Sequence, residues 1–288
     1  MEEILQILLS GLVLGLIFSL VAVGLNIIFG VMDIVNFAHG EFLMVSMYIC
    51  YWLFVWFGLS PLFSLPICIA ALFLLGVGVY KLLIGRILSA PMLTQIFATF
   101  GLMLFLQNLA LFLWSSDYRT IQDPLIFGKK ITVLDGVFLG VPQLAAGAGA
   151  LVITGLVFLL INKTELGRAL RATAEDKEAA ALMGINTDRI FALSWGIGGA
   201  CVGAAGALLA GFYPIFPYVG AVFCTTAFVV VVLGGFGSIA GAFFAGIIIG
   251  LVQIGFGSYF PAAYKMAFVY GIYLLTVFVR PRGLLGKS

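Results

Sequence analysis

Charged side chains are scarce in this sequence: Asp, Glu, Lys and Arg together make up 9% of its 288 residues, against 63% hydrophobic ones. Soluble domains carry roughly 25% charged residues, and with a mean hydropathy of +1.22 a soluble fold is excluded. His39 is the only histidine, and the four cysteines (Cys50, Cys68, Cys201, Cys224) stand singly inside apolar stretches. With no Cys-x-x-Cys pair and no second histidine, the usual metal-ligand spacings are missing, so the cysteines read as small apolar side chains. A formal net charge of +2 is too small to point to a nucleic-acid partner.

What the chain has in abundance is long apolar runs, near 4–29, 42–58, 62–84, 92–114, 141–161, 191–212, 221–235, 239–257 and 264–280. Most approach or exceed the roughly 20 residues that cross a hydrocarbon core as a helix. The short alternating segments of a membrane barrel are absent. The first run follows Glu2 and Glu3 rather than basic residues and is too long for a signal peptide, so it reads as a retained helix. The expected fold is an all-α polytopic membrane protein of one domain, 1–288, a bundle of about eight transmembrane helices in contact with the lipid bilayer. Broken or re-entrant segments are expected near 30–41, at Gly30 and Gly40, and near 234–238, at Gly234, Gly235 and Gly237. These two breaks hint at an internal repeat.

Orientation follows lysine and arginine in the short loops. Loop 162–190 carries Lys163, Arg168, Arg171, Lys177 and Arg189 and is expected to be cytoplasmic. If every run crosses once, Lys81, Arg86 and the C-terminal Arg280, Arg282 and Lys287 fall on the same side, and the N-terminus lies outside the cytoplasmic membrane. Loop 115–140 is then external although it holds Arg119, Lys129 and Lys130. Within it, Asp135-Gly136 between two apolar stretches fits a tight β-hairpin, with an irregular loop as the equal alternative. Glycine and other small residues recur four apart at Gly11, Gly15 and Ser19 and at Gly199, Gly203, Ala207 and Gly211. That spacing lets helices approach closely, so both runs are expected inside the bundle.

Polar residues inside the runs divide between interhelical hydrogen bonding and a translocation path. The path or gate candidates are Asn36, His39, Glu41, Gln107, Asn108 and Gln253. Three readings of "GVMDIVNFAHGEF" (Gly30 to Phe42) stand side by side. Ionisable residues within a membrane are functional by default, so His39 with Glu41 and Asp33 can form a proton relay. Alternatively, Asn36, His39 and Glu41 belong to a translocation path. In the third reading the stretch is a structural turn, with Gly30 and Gly40 as breaks and Asp33 as the cap of the next turn.

In loop 162–190, "TAEDKEAAALMGINTDRI" predicts a helix over Ala174–Met183, started by Thr173 with Asp176 three residues later and ended by Gly184. Ala179, Leu182 and Met183 would share its apolar face. Here the chain resembles a family. "EAAALMG" (Glu178 to Gly184) is similar to the EAAxxxG core of the ATPase-coupling loop of ABC importer permeases, although the Ile-x-Leu-Pro ending is replaced near Ser194-Trp195. With "GLNIIFGVMDIVNFAHGEFLMV", "RALRATAEDKEAAALMGIN" and "RPRGLLGK" in that order, nearly the whole chain resembles the Leu/Ile/Val-type, branched-chain amino acid, ABC permeases. The resemblance implies a pore subunit in the bacterial inner membrane that pairs with a second, related permease. It also implies two cytoplasmic ATPases and an extracytoplasmic solute-binding protein. Glu175, Glu178, Ala179, Ala180, Leu182 and Gly184 would form the coupling helix. The chain is expected to be no enzyme and to hold no cofactor, with ATP and Mg bound by the ATPases: in "GLLGKS" the first glycine of a phosphate-binding loop would fall at Pro281. The rival is a proton-coupled secondary transporter using His39, Asp33 or Glu41.

Overall fold

A computed structural model describes residues 2–123, 128–134, 137–261 and 264–286. The chain forms α1 (Glu2–Met32), α2 (His39–Phe57), α3 (Pro61–Leu82), α4 (Met92–Trp114), the strands β1 (Lys130–Leu134) and β2 (Val137–Gly140), and α5 (Val141–Lys163). Next come α6 (Glu165–Glu175), α7 (Lys177–Leu182), α8 (Thr187–Ala210), α9 (Val219–Gly234), α10 (Ile239–Tyr259) and α11 (Lys265–Val279). Among the described residues, seven helices are long and apolar enough to cross a membrane: α1 to α5, α8 and α10. α9 and α11 are apolar but shorter. The two strands pair antiparallel, Lys130 opposite Gly140; Asp135 and Gly136, expected at the turn, lie outside the described residues.

Small residues decide which helices touch. α1 lies along α10 and α3 along α8. A Cβ added at Gly15 would come 2.7 Å from the Ile247 backbone, and one at Gly250 2.3 Å from Gly15. Ser19 Oγ donates to Phe243 O at 2.7 Å across the same contact. In the other pair, a Cβ at Gly199 would lie 2.3 Å from Leu72 O and one at Gly203 2.8 Å from Cys68 O. Backbones this close leave no room for a larger side chain, so the four-residue spacing fixes the partner and not just burial. Accordingly α1 and α8 are the most buried spans.

The two ends of the bundle carry different elements. At one end the hairpin sits on the start of α1: Gln6 Nε2 donates to Phe138 O and Phe138 N donates to Gln6 Oε1, both at 2.9 Å. At the other, α6 and the 235–238 turn flank the end of α1. The C-terminal segment joins them there, Leu284 N donating to Leu233 O at 2.8 Å and Leu285 N to Gly234 O at 3.1 Å.

Three expectations are corrected. A break does fall within 30–41, but Gly30 lies inside α1 and Gly40 in the first turn of α2, so it is the non-helical segment 33–38 between them, which ends in a turn at 37–38. Its residue with unusual backbone is Asp33, at φ 56°, and Asp33 caps nothing: Asn36 Oδ1 instead accepts from Ala38 N at 3.1 Å. The segment equivalent to this break is not 234–238, a tight turn with Gly235 and Gly237 at positive φ, but 211–218. Each interrupted segment leaves a long buried helix (α1, α8) and leads into a second helix (α2, α9). The third helix of each half then packs on the long helix of the other half, α3 on α8 and α10 on α1. This is the arrangement of an inverted repeat.

The predicted helix 174–183 is two helices. Asp176, not Thr173, is the cap: its Oδ1 accepts from Glu178 N at 2.9 Å and Ala179 N at 3.0 Å. Thr173 is buried in α6 and bonds back to Ala169 O. α6 starts earlier, at Thr164, whose Oγ1 accepts from Gly167 N. After α7, Gly184 adopts φ +83°, and Ile185 N donates to Ala180 O at 3.1 Å, a left-handed helix stop that glycine favours.

Candidate functional site

α1 has 31 residues and at about 1.5 Å per residue is some 46 Å long. His39 opens α2, yet its Nε2 donates at 3.0 Å to the carbonyl of Val21, about 16 Å back from the end of α1 at Met32. The non-helical segment 33–38 therefore climbs into the middle of the bundle before α2 begins. On the opposite side of this point, α9 begins: a Cβ on Gly40 would lie 2.1 Å from Gly220 O. Two helices, α2 and the shorter α9, thus start back to back deep inside the protein. Neither Ala38 nor Tyr218, the residues preceding their first turns, caps its helix with a side chain.

Glu41 lies at this junction. It is 1% exposed; Gln107 Nε2 donates to its Oε1 at 2.8 Å. Its Oε2 has no hydrogen-bond partner among the described residues, and a Cβ at Gly220 would be 2.6 Å from that oxygen. Asn36 and His39 are equally buried, and Asn36 Nδ2 and His39 Nδ1 have no hydrogen-bond partner among the described residues. Thr99 Oγ1 of α4 donates to Val35 O at 3.0 Å and holds the non-helical segment. A buried carboxylate without a cation is costly in a membrane protein, by about 2.5–3.5 kcal/mol on insertion scales, and such residues mark pathways.

The structure brings Asn36, His39, Glu41 and Gln107 into one region and leaves the other two candidates elsewhere. Asn108 is exposed and donates to Leu104 O at 2.7 Å. Gln253 lines a cleft of about 470 Å³ near the hairpin end, with Phe18, Phe223, Thr226 and Lys265 also on its walls. His39 and Glu41 bond to different partners, Val21 and Gln107.

Asn26 makes the interhelical hydrogen bonds expected of a polar residue inside an apolar run, whereas the role of Arg119 was not signalled by its sequence context. Asn26 grips the α9–α10 turn: Nδ2 donates to Ser238 O at 2.8 Å and Gly235 O at 3.3 Å, while Oδ1 accepts from Gly237 N at 2.6 Å. Arg119 lies over the rings of Tyr51 and Trp52, 5.4 and 5.5 Å from their centroids. Its backbone pairs with Ile215 in the second interrupted segment. The signal for that segment was Pro214 and Pro217, each of which holds the residue before it extended.

At the opposite end from the hairpin, α7 presents Leu182 and Met183, 89% and 83% exposed, beside Gly184. Ala179, expected to share the apolar face with these two, is exposed as well, so that face lies wholly on the surface; the buried residue of α7 is Ala180.

Membrane-length helices arranged as an inverted repeat, with two helices starting inside the bundle at a buried carboxyl group, define a polytopic membrane transport protein. The chain belongs to the family described as branched-chain amino acid transport system / permease component, whose model matches residues 7–277. It is 31% identical over 298 residues to the high-affinity branched-chain amino acid transport system permease protein LivH of Escherichia coli K12, covering 98% of this chain and 96% of that one. Identity to BraD of Pseudomonas aeruginosa, which carries the same description, is 31% over 296 residues, with 98% and 96% covered. LivM of E. coli K12, another permease protein of such a system, is 28% identical over 295 residues, covering 94% of this chain and 68% of LivM. No solved structure matches the chain.

Proposed function

We propose that the chain is a pore subunit of an ATP-driven importer of branched-chain or related small amino acids, working with a second, LivM-like permease. The match of residues 7–277 to the permease family carries this reading. Two cytoplasmic ATPases would bind ATP and Mg, and an extracytoplasmic solute-binding protein would deliver the substrate.

α7 is the natural transmitter. It is short, capped by Asp176 and stopped at Gly184, and it exposes Leu182 and Met183 at the end where α1 ends. Exposed apolar residues on a small helix suit a groove in a partner. That end is cytoplasmic in this reading, in agreement with its basic residues, and the hairpin end faces the solute-binding protein. Asn36, His39, Glu41 and Gln107 form the gate, where the two helices close the path. Glu175 and Glu178 accompany the coupling helix, and Ala179 lies in its first turn.

The test is transport in proteoliposomes. Leucine uptake should require ATP, both permeases, the ATPases and the binding protein. Uptake driven by a proton gradient through this chain without an ATPase would instead favour a proton-coupled carrier.

A further inference from the structure

The gate contains a carboxyl oxygen left without a partner among the described residues. Glu41 is 1% exposed, at the height where α2 and α9 both begin. Gln107 satisfies one of its oxygens, and among the described residues nothing satisfies the other. The lysines and arginines of the described apolar helices stand at their ends, at Lys81, Lys163, Arg189 and Lys265. His39 turns its Nε2 to the Val21 carbonyl. When ionised, a carboxyl group in this position costs several kcal/mol, which a cation arriving during the cycle would offset.

An amino acid brings such a cation together with an anion. The anion also has a place nearby. The first turns of α2 and α9 have no side-chain cap, and the amide ends of broken helices attract carboxylates. The fully buried Asn36 Nδ2, without a partner among the described residues, adds a further donor in the segment leading into α2.

We propose that Glu41 receives the ammonium group of the transported amino acid as it passes the gate, while the amide ends of α2 and α9 and the Asn36 side-chain amide receive its carboxylate. The site reads the zwitterion and leaves the aliphatic side chain unread. Selection among side chains then falls to other parts of the system. This inference rests on the permease reading and assigns that gate its substrate class.

The experiment uses the complete transporter in proteoliposomes, with Glu41→Gln and Glu41→Asp beside the wild type. Glutamine keeps the shape and can still bond Gln107, but it removes the charge. Glu41→Gln should assemble and melt like the wild type and lower leucine uptake about tenfold or more, in line with losing a hydrogen bond to a charged group. Glu41→Asp should recover part of that uptake. Wild-type uptake in Glu41→Gln would overturn the proposal. So would loss of assembly or a large drop in melting temperature, because the carboxylate would then be holding α9 rather than substrate. If the wild-type complex itself imports no amino acid, the permease reading fails, whatever Glu41 does.

Discussion

Gly40 and Gly220 lie backbone against backbone where α2 and α9 begin. A Cβ on Gly40 would sit 2.1 Å from Gly220 O, and one on Gly220 would sit 2.6 Å from Gly40 O. Two helices from opposite halves of the chain therefore start at the same depth with nothing between them. Next to this contact, Gly24 of α1 makes room for the imidazole: a Cβ there would lie 3.3 Å from His39 Cε1. The gate is built by removing side chains around one carboxylate.

Because these clashes are with backbone, they are not relieved by rotating a side chain. Gly40→Ala and Gly220→Ala should each destabilise the protein by about 1–3 kcal/mol, the range for overpacking a tight interior. Thermal unfolding followed by size-exclusion chromatography in detergent measures this. Gly78→Ala is the control, since a Cβ there meets nothing within 4 Å. Equal melting temperatures for Gly40→Ala and Gly78→Ala would contradict the close approach.

Asn26 is expected to be structural. Replacing it with Ala removes three hydrogen bonds to the 235–238 turn. At the usual worth of interhelical hydrogen bonds in membranes this amounts to about 2 kcal/mol. Limited proteolysis should find the α9–α10 turn more readily cut in Asn26→Ala, and the melting temperature should fall.

Much of this architecture was legible in the sequence, for identifiable reasons. Apolar runs of membrane length set the helices, and the small residues Gly11, Gly15 and Ser19 marked a close contact, which proved to be with α10. The first break was visible because Asp33, Asn36, His39 and Glu41 interrupt an apolar stretch. The second showed only as the gap between the runs ending at 212 and starting at 221, and its place inside the bundle was hidden because Tyr213, Ile215, Phe216 and Tyr218 are as apolar or aromatic as a helix would be there, with only Pro214 and Pro217 differing. Hydrophobicity reports burial, and both a helix and a buried extended segment satisfy it. In the coupling loop, Thr173 and Asp176 both suit a cap. Thr164 decided between them by starting α6 earlier, which left Thr173 inside a helix. Pairing across the bundle, such as Gln107 with Glu41, joins residues 66 apart, and no local pattern encodes it.

Asp176 alone supplies the side-chain cap of α7. Asp176→Ala should weaken that helix by about 1 kcal/mol. Amide exchange over 177–182 should then speed up roughly fivefold, with the membrane helices unaffected. Thr173→Val should leave exchange in α7 unchanged, since Thr173 bonds within α6. If the two variants behaved alike, the division into α6 and α7 would be wrong.

The exposed pair at the end of α7 separates folding from partner binding. Leu182 and Met183 contribute little to the packing of this chain, being 89% and 83% exposed. Replacing both with Gln should leave its insertion and melting temperature as they are. If α7 docks in an ATPase groove, however, the same double variant should lose most of its ability to co-purify the ATPases, because two buried apolar side chains are each worth about 1.5–3 kcal/mol. Gly184→Leu attacks the same contact through the backbone. A Cβ at that position meets open space, so the only strain is its φ of +83°, about 1–2 kcal/mol for a residue other than glycine. That strain should turn the end of α7 away from its docking angle and abolish ATP-driven uptake while the permease remains folded. Co-purification and uptake at wild-type levels in both variants would remove α7 from the coupling path and direct attention to the acidic surface formed by Glu178 and its neighbours.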